Sequence, residues 1–224
     1  MLNPIEEAKF QELKDKCREL KVPTLPEIFI GLKVHDHNGV LTFDDIQRGH
    51  SWTRNFYNST AMVLLPAAEQ TTTAGAGSLT RKTQDNGLVT NAAGYNSPTV
   101  GSIGSTYQGI VVGTSDMAFS VANYKLEALI EHGVTSGKFS YAAGILGTAS
   151  YNAGAKTWTQ TLSRIMNNNS GGSITVKEVG LKSAWAWGNG ELFERSILNP
   201  EVVVANGAQL TVTYTTSMDF SAID

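Results

Sequence analysis

His35 and His37 are the first residues in this chain whose type and spacing could do chemistry. On a strand, side chains two positions apart share a face, as a pair of metal-ligating imidazoles would. The same residues also read as the polar end of a hairpin, because His37-Asn38-Gly39 is turn chemistry. No cysteine and no further histidine cluster stands nearby, and no metal is expected. Asp36-His37-Asn38-Gly39 with Asp45 has part of a calcium-loop composition, but Val34 occupies the position of the first ligand and the flanking helices are missing. His50 beside Ser51 suggests a hydrolase, yet sequence neighbours do not make a base and a nucleophile, and no Gly-x-Ser-x-Gly elbow is present. His50, Arg54 and Asn55 are expected instead to hydrogen-bond backbone or a neighbouring subunit. Trp185 and Trp187 would share a face and could stack on a sugar. With Trp158, they are expected in the core or at a subunit interface, where aromatics dominate the energetics. No two acids are singled out as a glycosidase pair, and no dinucleotide or Walker glycine loop occurs. The expectation is no catalytic residue, no cofactor and no metal.

The elements that would position these residues follow from periodicity and turn signals. Asn3-Pro4 followed by Glu6 opens a helix over about residues 4–20, whose apolar stripe holds Leu2, Ile5, Leu13, Cys17 and Leu20 and is narrowed by the intrusion of Lys9 and Lys16. Pro23 and Pro26 end it and begin a connector. Residues 28–34 read as a strand, turning at His37-Asn38-Gly39 into residues 40–43. Asp44 or Asp45 is expected to cap a helix carrying Ile46, Trp52, Phe56 and Ala61. Residues 66–106 are rich in Thr, Ala, Gly, Ser and Asn, with one turn signal, Asp85-Asn86-Gly87, for a projecting hairpin.

Beyond it come a short strand at residues 109–113, a short helix at 123–132 ended by Gly133, and strands near 138–142, 157–165, 174–181, 192–198, 202–205 and 210–215. Asn199-Pro200 is taken as one of the separating turns. Leu210, Val212 and Tyr214 alternate with Thr211, Thr213 and Thr215, and a shift of the apolar set near Glu178 suggests a β-bulge or burial on both faces. The fold expected is mainly β: an antiparallel β-sandwich-like domain with an N-terminal helix and a long polar loop or projecting hairpin. Its divisions are residues 1–26 as helix and connector, 27–65 as hairpin and helix packed on the core, 66–106 as a polar arm and 107–224 as the sandwich.

The chain has 224 residues, a formal net charge of -3 and 17% charged residues, below the roughly 25% of soluble domains. Lysine and arginine are scattered, which argues against a dense basic surface for nucleic acid. One cysteine, Cys17, allows no intrachain disulfide. The first residues have no apolar signal region, and no stretch is apolar enough to span a membrane.

Two stretches carry a family resemblance. One runs from Arg48 to Asn58, Arg-Gly-His-Ser-Trp-Thr-Arg-Asn-Phe-Tyr-Asn. The other runs from Ile174-Thr175-Val176-Lys177-Glu178-Val179-Gly180-Leu181 through Leu192-Phe193-Glu194-Arg195 to Gln209-Leu210-Thr211-Val212-Thr213-Tyr214. With the segment from Gly109 to Gly133, about half the chain resembles virion structural proteins of tailed bacteriophages. The resemblance implies a particle component, a ring-forming neck (head-tail connector) or tail protein. It would be homo-oligomeric, made in the host cytoplasm, found in the virion and partnered by other virion proteins, with no sequence-specific nucleic-acid binding and no membrane. The rival readings are a receptor- or carbohydrate-binding tip or decoration protein and, third, a cell-wall hydrolase. The interface candidates are Ile5, Leu13 and Leu20 on the helix, then His50, Trp52, Arg54 and Asn55, then Trp185 and Trp187.

Overall fold

The strand that organises the body is β1 (Glu27–His35), whose Ile28, Ile30, Leu32 and Val34 all point one way into the interior. The computed structural model describes residues 4–22, 26–49, 52–64, 81–86, 88–89, 100–185 and 189–221. Around β1 lie β2 (Leu41–Arg48) and, much later in the chain, β9 (Thr157–Asn167) and β12 (Gln209–Asp219). With short β6 (Ser140–Tyr141), β7 (Ile145–Leu146) and β8 (Ser150–Asn152), these make a seven-stranded antiparallel sheet ordered β2-β1-β12-β9-β6, β7 and β8 pairing along β9. A second sheet, ordered β11-β10-β5, holds β11 (Asn189–Val204), β10 (Ile174–Trp185) and β5 (Gly109–Gly113). The fold is mainly β, sandwich-like and antiparallel, with helix α1 (Pro4–Leu20) at the N-terminal side and, among the described residues, one further helix, α2 (Arg54–Leu64).

Period-two alternation packs the two sheets together. Leu210, Val212 and Tyr214 of β12 are buried against Ile30 and Leu32 of β1, Leu162 and Met166 of β9, and Val176, Val179 and Leu181 of the second sheet. Each fully buried aliphatic side chain contributes about 1.5–3 kcal/mol. The opposite face of β12 carries Thr211, Thr213 and Thr215, and Thr213 shares a hydrogen bond with Ser163 across the strand pair at 2.9 Å. The register of β12 is thus as its alternation required. The hairpin at residues 27–48, expected to pack on the sandwich, is instead the far side of its larger sheet: β1 pairs β12 along its whole length, from Glu27↔Ser217 to His35↔Gln209.

Three local expectations are corrected by pairing. Asp44 and Asp45 do not start a helix: β2 continues to Arg48 because β1 offers it a full edge, Asp44 opposite Lys33 and Asp45 opposite Leu32. The helix begins only at Arg54, after Thr53 accepts Phe56 N–H at 3.1 Å and fixes itself to β11 through Phe193 O at 2.8 Å and Leu192 O at 2.5 Å. Residues 123–132 are not helical either. Their Ala128 carbonyl and Ile130 N–H bond to Thr114 N–H and Val112 O, so the segment runs along the exposed edge of β5. Asn199-Pro200, joined by a cis peptide, does not separate two strands but lies inside β11. Between Ile197, opposite Glu178, and Val202, opposite Val176, the residues from Leu198 to Glu201 bulge out beside Lys177. The irregularity expected near Glu178 is this bulge, and from Glu178 onward β10 is also buried on both faces.

The hairpin expected at Asp85-Asn86-Gly87 forms as β3 (Arg81–Lys82) and β4 (Leu88–Val89), with Asn86 at φ 63°. Its base is fastened to the body rather than projecting free, since Arg81 is buried and Asn55 bonds both backbone groups of Lys82 at 2.8 Å. The remainder of residues 66–106 that precedes Val100 lies largely outside the described residues.

Leu210→Asp places an unpaired carboxylate in the inter-sheet core, between Val34 and Met166. It should remove several kcal/mol of stability, about the whole margin of a domain. Thr213→Asp, on the outward face, should cost about 1 kcal/mol or less. Urea melts of the two variants check this, and equal losses would overturn the register.

Candidate functional site

Buried charge is the chemistry this chain concentrates, and its clearest case is Arg164. The residue sits on the inner face of β9 between Leu162 and Met166, fully buried, opposite Val212. Its Nε donates to Ala142 O at 2.9 Å, Nη1 to Gln108 O at 3.1 Å and Ile110 O at 2.9 Å, and Nη2 to Ser102 O at 2.8 Å and Ser105 O at 2.7 Å. Every N–H of the guanidinium therefore meets a backbone carbonyl. The Tyr141 ring lies 4.8 Å from its carbon, and Tyr141 in turn donates to Ile130 O at 2.7 Å. Gly101 makes room for this: a Cβ there would fall 2.7 Å from the guanidinium. One side chain thus binds residues 102–108, the edge of β5 and the turn at Ala142 together.

The outer face of the smaller sheet is stapled in the same way, now with acids included. Glu178 and Arg195 form a wholly buried pair at 2.7 Å. Glu178 also accepts Ala128 N–H at 2.9 Å, while Arg195 donates to Met117 O at 3.0 Å. The segment over residues 114–132 is held down at both ends by this pair, and its Leu126 packs on Val111 and Leu192 beneath. Arg81 and Glu191, 2.8 Å apart and buried, fasten the hairpin base. Lys182 is buried with its amine on Gln84 Oε1 at 2.7 Å and Thr106 O at 3.0 Å, and burial pushes its pKa down to about 8. It lines a small open cavity of about 240 Å³ with Asp85, Lys125 and Glu127.

Between the sheets, Glu194 of β11 accepts the Tyr214 hydroxyl of β12 at 2.5 Å and a short hydrogen bond from Ser196. Burial pushes its carboxyl up to about 7, against the opposing pull of those two hydroxyls and of Arg195. The Tyr214 hydroxyl is raised far above its usual range by the same burial.

Helix α1 is seated on charge as well. Arg48, 7% exposed at the end of β2, grips Glu7 with two bonds, Nε at 2.7 Å and Nη2 at 2.8 Å, and pairs with Glu27 through Nη1. Lys14 reaches the other oxygen of Glu27 at 2.7 Å. The guanidinium lies between the rings of Phe10, 3.9 Å away, and Phe29, 4.7 Å away. The Arg48 bond holds the Glu7 carboxyl below its usual range.

The interface candidates divide. Ile5, Leu13 and Leu20 stand on the far side of α1 at 70%, 54% and 69% exposure, and no residue of α1 is buried. Trp52 and Asn55 are spent inside the chain: Trp52 stacks on Phe56 with centroids 3.8 Å apart and donates to Pro26 O at 3.1 Å, and Asn55 holds Lys82. Arg54 begins α2 with its N–H on Val121 O at 2.7 Å and its side chain exposed. His50 and Trp187 lie outside the described residues, as does the Trp185 side chain, whose backbone pairs with Asn189. His35 ends β1 and His37 sits in the following turn, and no group of three metal-ligating side chains occurs among the described residues. The sequence reading missed Arg164, Glu178, Arg195, Arg81, Glu191, Lys182, Glu194 and Arg48. Arg164 did carry a signal, a charged residue in phase with apolar Leu162 and Met166 on one strand.

Two outcomes follow from these staples. Arg164→Met strips a partner from five carbonyls, and should cost about 3–5 kcal/mol while raising amide exchange across residues 101–108. Arg164→Lys keeps the charge but not the fork, so it should recover little of that loss. A urea titration and exchange mass spectrometry read both effects.

Glu194 gives a pH dependence. The folded state holds its proton more tightly than the unfolded chain, so its contribution is fullest below the ordinary carboxylate pKa. It declines as pH rises to about 7, then stays flat. Glu194→Gln removes that decline. The stability difference between variant and parent should move in the variant's favour by up to about 3 kcal/mol between pH 4.5 and 8. A difference that is constant across that range would show that the carboxyl does not titrate there.

No protein-family model matches this chain, and no curated protein or solved structure matches it.

Proposed function

We propose that this chain is a structural subunit of a tailed-phage virion, a ring-forming neck or tail protein that works through its surfaces. The observation that carries the reading is α1. It buries none of its residues and turns Ile5, Leu13 and Leu20 outward, apolar side chains interleaved with Lys9 and Lys16 on an element joined to the body by charge. Apolar surface of that kind is what an assembling subunit offers a neighbour.

The resembling stretches add support, because they coincide with the body's frame. They supply Glu178, Leu181, Glu194, Arg195, Val212 and Tyr214, the groups that lock the sheets and the segment over residues 114–132. Their charges are turned inward onto backbone and each other. A frame of this kind keeps loops in fixed positions, as repeated identical contacts in a ring require.

The test is location. Mass spectrometry of purified particles should find the chain in a fixed ratio to other virion proteins, and antibody-gold labelling should decorate the neck or tail. Gold at a free tip or over the head shell would favour a receptor-binding or decoration role. Absence from particles would overturn the proposal.

A further inference from the structure

We infer that Lys182 and Gln84 join covalently: the buried amine displaces ammonia from the side-chain amide and leaves an isopeptide bond between the hairpin and the smaller sheet. The inference goes beyond the assembly role proposed above and does not depend on it.

Backbone fixes the juxtaposition from both sides. Lys182 lies in β10, laddered to Leu192 of β11 and to Gly109 of β5. Gln84 follows β3, and its N–H is held by Gly190 O at 2.9 Å. Their side chains meet with the amine 2.7 Å from Gln84 Oε1. A carbonyl bond is about 1.23 Å long, so the amide carbon stands within about 4 Å of the nitrogen. Attack begins at about 3–3.5 Å, a small torsion of the Gln84 side chain away.

The amine is also prepared for attack. Lys182 is 1% exposed, and among the described residues no carboxylate bonds its amine, whose second partner is Thr106 O at 3.0 Å. An ammonium buried among neutral acceptors loses its proton more easily than one in water. Burial brings this one down to about 8, so about one amine in ten is neutral at pH 7. Kept on Thr106 O by one N–H, the neutral amine turns its lone pair to the Gln84 carbon.

The step balances without an outside reagent. The Nζ lone pair forms a bond to Cδ of Gln84, the bond from Cδ to Nε2 breaks, and one Nζ proton passes to Nε2, which leaves as ammonia. Asp85 and Glu127 line the small open cavity over Lys182, where they are the acids placed to carry that proton and the opening lets ammonia out. Of the two, Asp85 is the one whose charge acts on the amine. The bond adds a covalent fastening to a hairpin base already held by the Arg81–Glu191 pair and by Asn55.

The unmodified full-length chain tests this. Folded protein is kept at pH 8, where about half of the amine is neutral. It is then denatured, its intact mass is measured, and it is digested with trypsin. The expected result is a chain lighter than its sequence by one ammonia. The peptide from Thr83 to Lys125 should be joined to that from Glu178 to Arg195, uncut at Lys182. A folded chain at its full sequence mass would overturn the inference. Loss of ammonia without the joined peptides would overturn it too, by placing the loss elsewhere, as at an Asn-Gly pair. Gln84→Met should keep its full mass, and a linked Lys182 in that variant would show a different partner and overturn the assignment. None of these results bears on the particle reading.

Discussion

The structure depends on a guanidinium that meets carbonyls and, among the described residues, no acid. Arg164 stands where an aliphatic side chain would complete the core, and it replaces lost hydration entirely with carbonyl groups. Removing a charge from water is expensive, and in a low-dielectric interior only complete hydrogen bonding compensates it. Here the compensation does structural work. β5 is the edge of its sheet, with one side lacking a strand. Arg164 and Tyr141, both from the larger sheet, meet that edge at Ile110 and Val112, while the segment around Ala128 closes the rest. An edge that would otherwise invite pairing with another chain is capped from within.

The same solution recurs wherever the chain runs without regular structure. Residues 102–108 have few large apolar side chains to hold them, and Leu126 and Ile130 anchor only part of 114–132, so the backbone groups of both segments need partners once covered. Arginine and glutamate from neighbouring strands supply those partners: Arg164 for the first segment, Arg195 and Glu178 for the second. A low overall charge is therefore compatible with a densely charged interior, because many of the charges present are placed inside. Any shift of either segment leaves a buried charge uncompensated, which disfavours alternative positions.

How far the sequence could be read follows from where the decisive interaction lies. β12 was legible because its alternation, apolar and threonine in turn, is a purely local record of one buried and one polar face. α1 was legible from its Pro4 start and its stripe, although that stripe turned out to face solvent while Glu7, Phe10 and Lys14 face the body. Residues 123–132 were misread because Leu126, Leu129 and Ile130 have helical spacing. The competing demand came from Glu178, some fifty residues away, and from the edge of β5. The extension of β2 past Asp45 was hidden for the same reason, being set by β1. Among the interface candidates, Asn55 could not be separated from an assembly residue, because the Lys82 backbone it binds is placed by the fold rather than by proximity in sequence.

The position of β1 has a mechanical consequence. It follows directly on from the connector after α1, and it is laddered on both sides, to β2 and to β12. Antiparallel hydrogen bonds lie across the strands. Tension drawn along the axis of β1 therefore loads two rows of bonds at once, in shear. A pull along that strand is spread over the width of the larger sheet before any single contact is asked to yield.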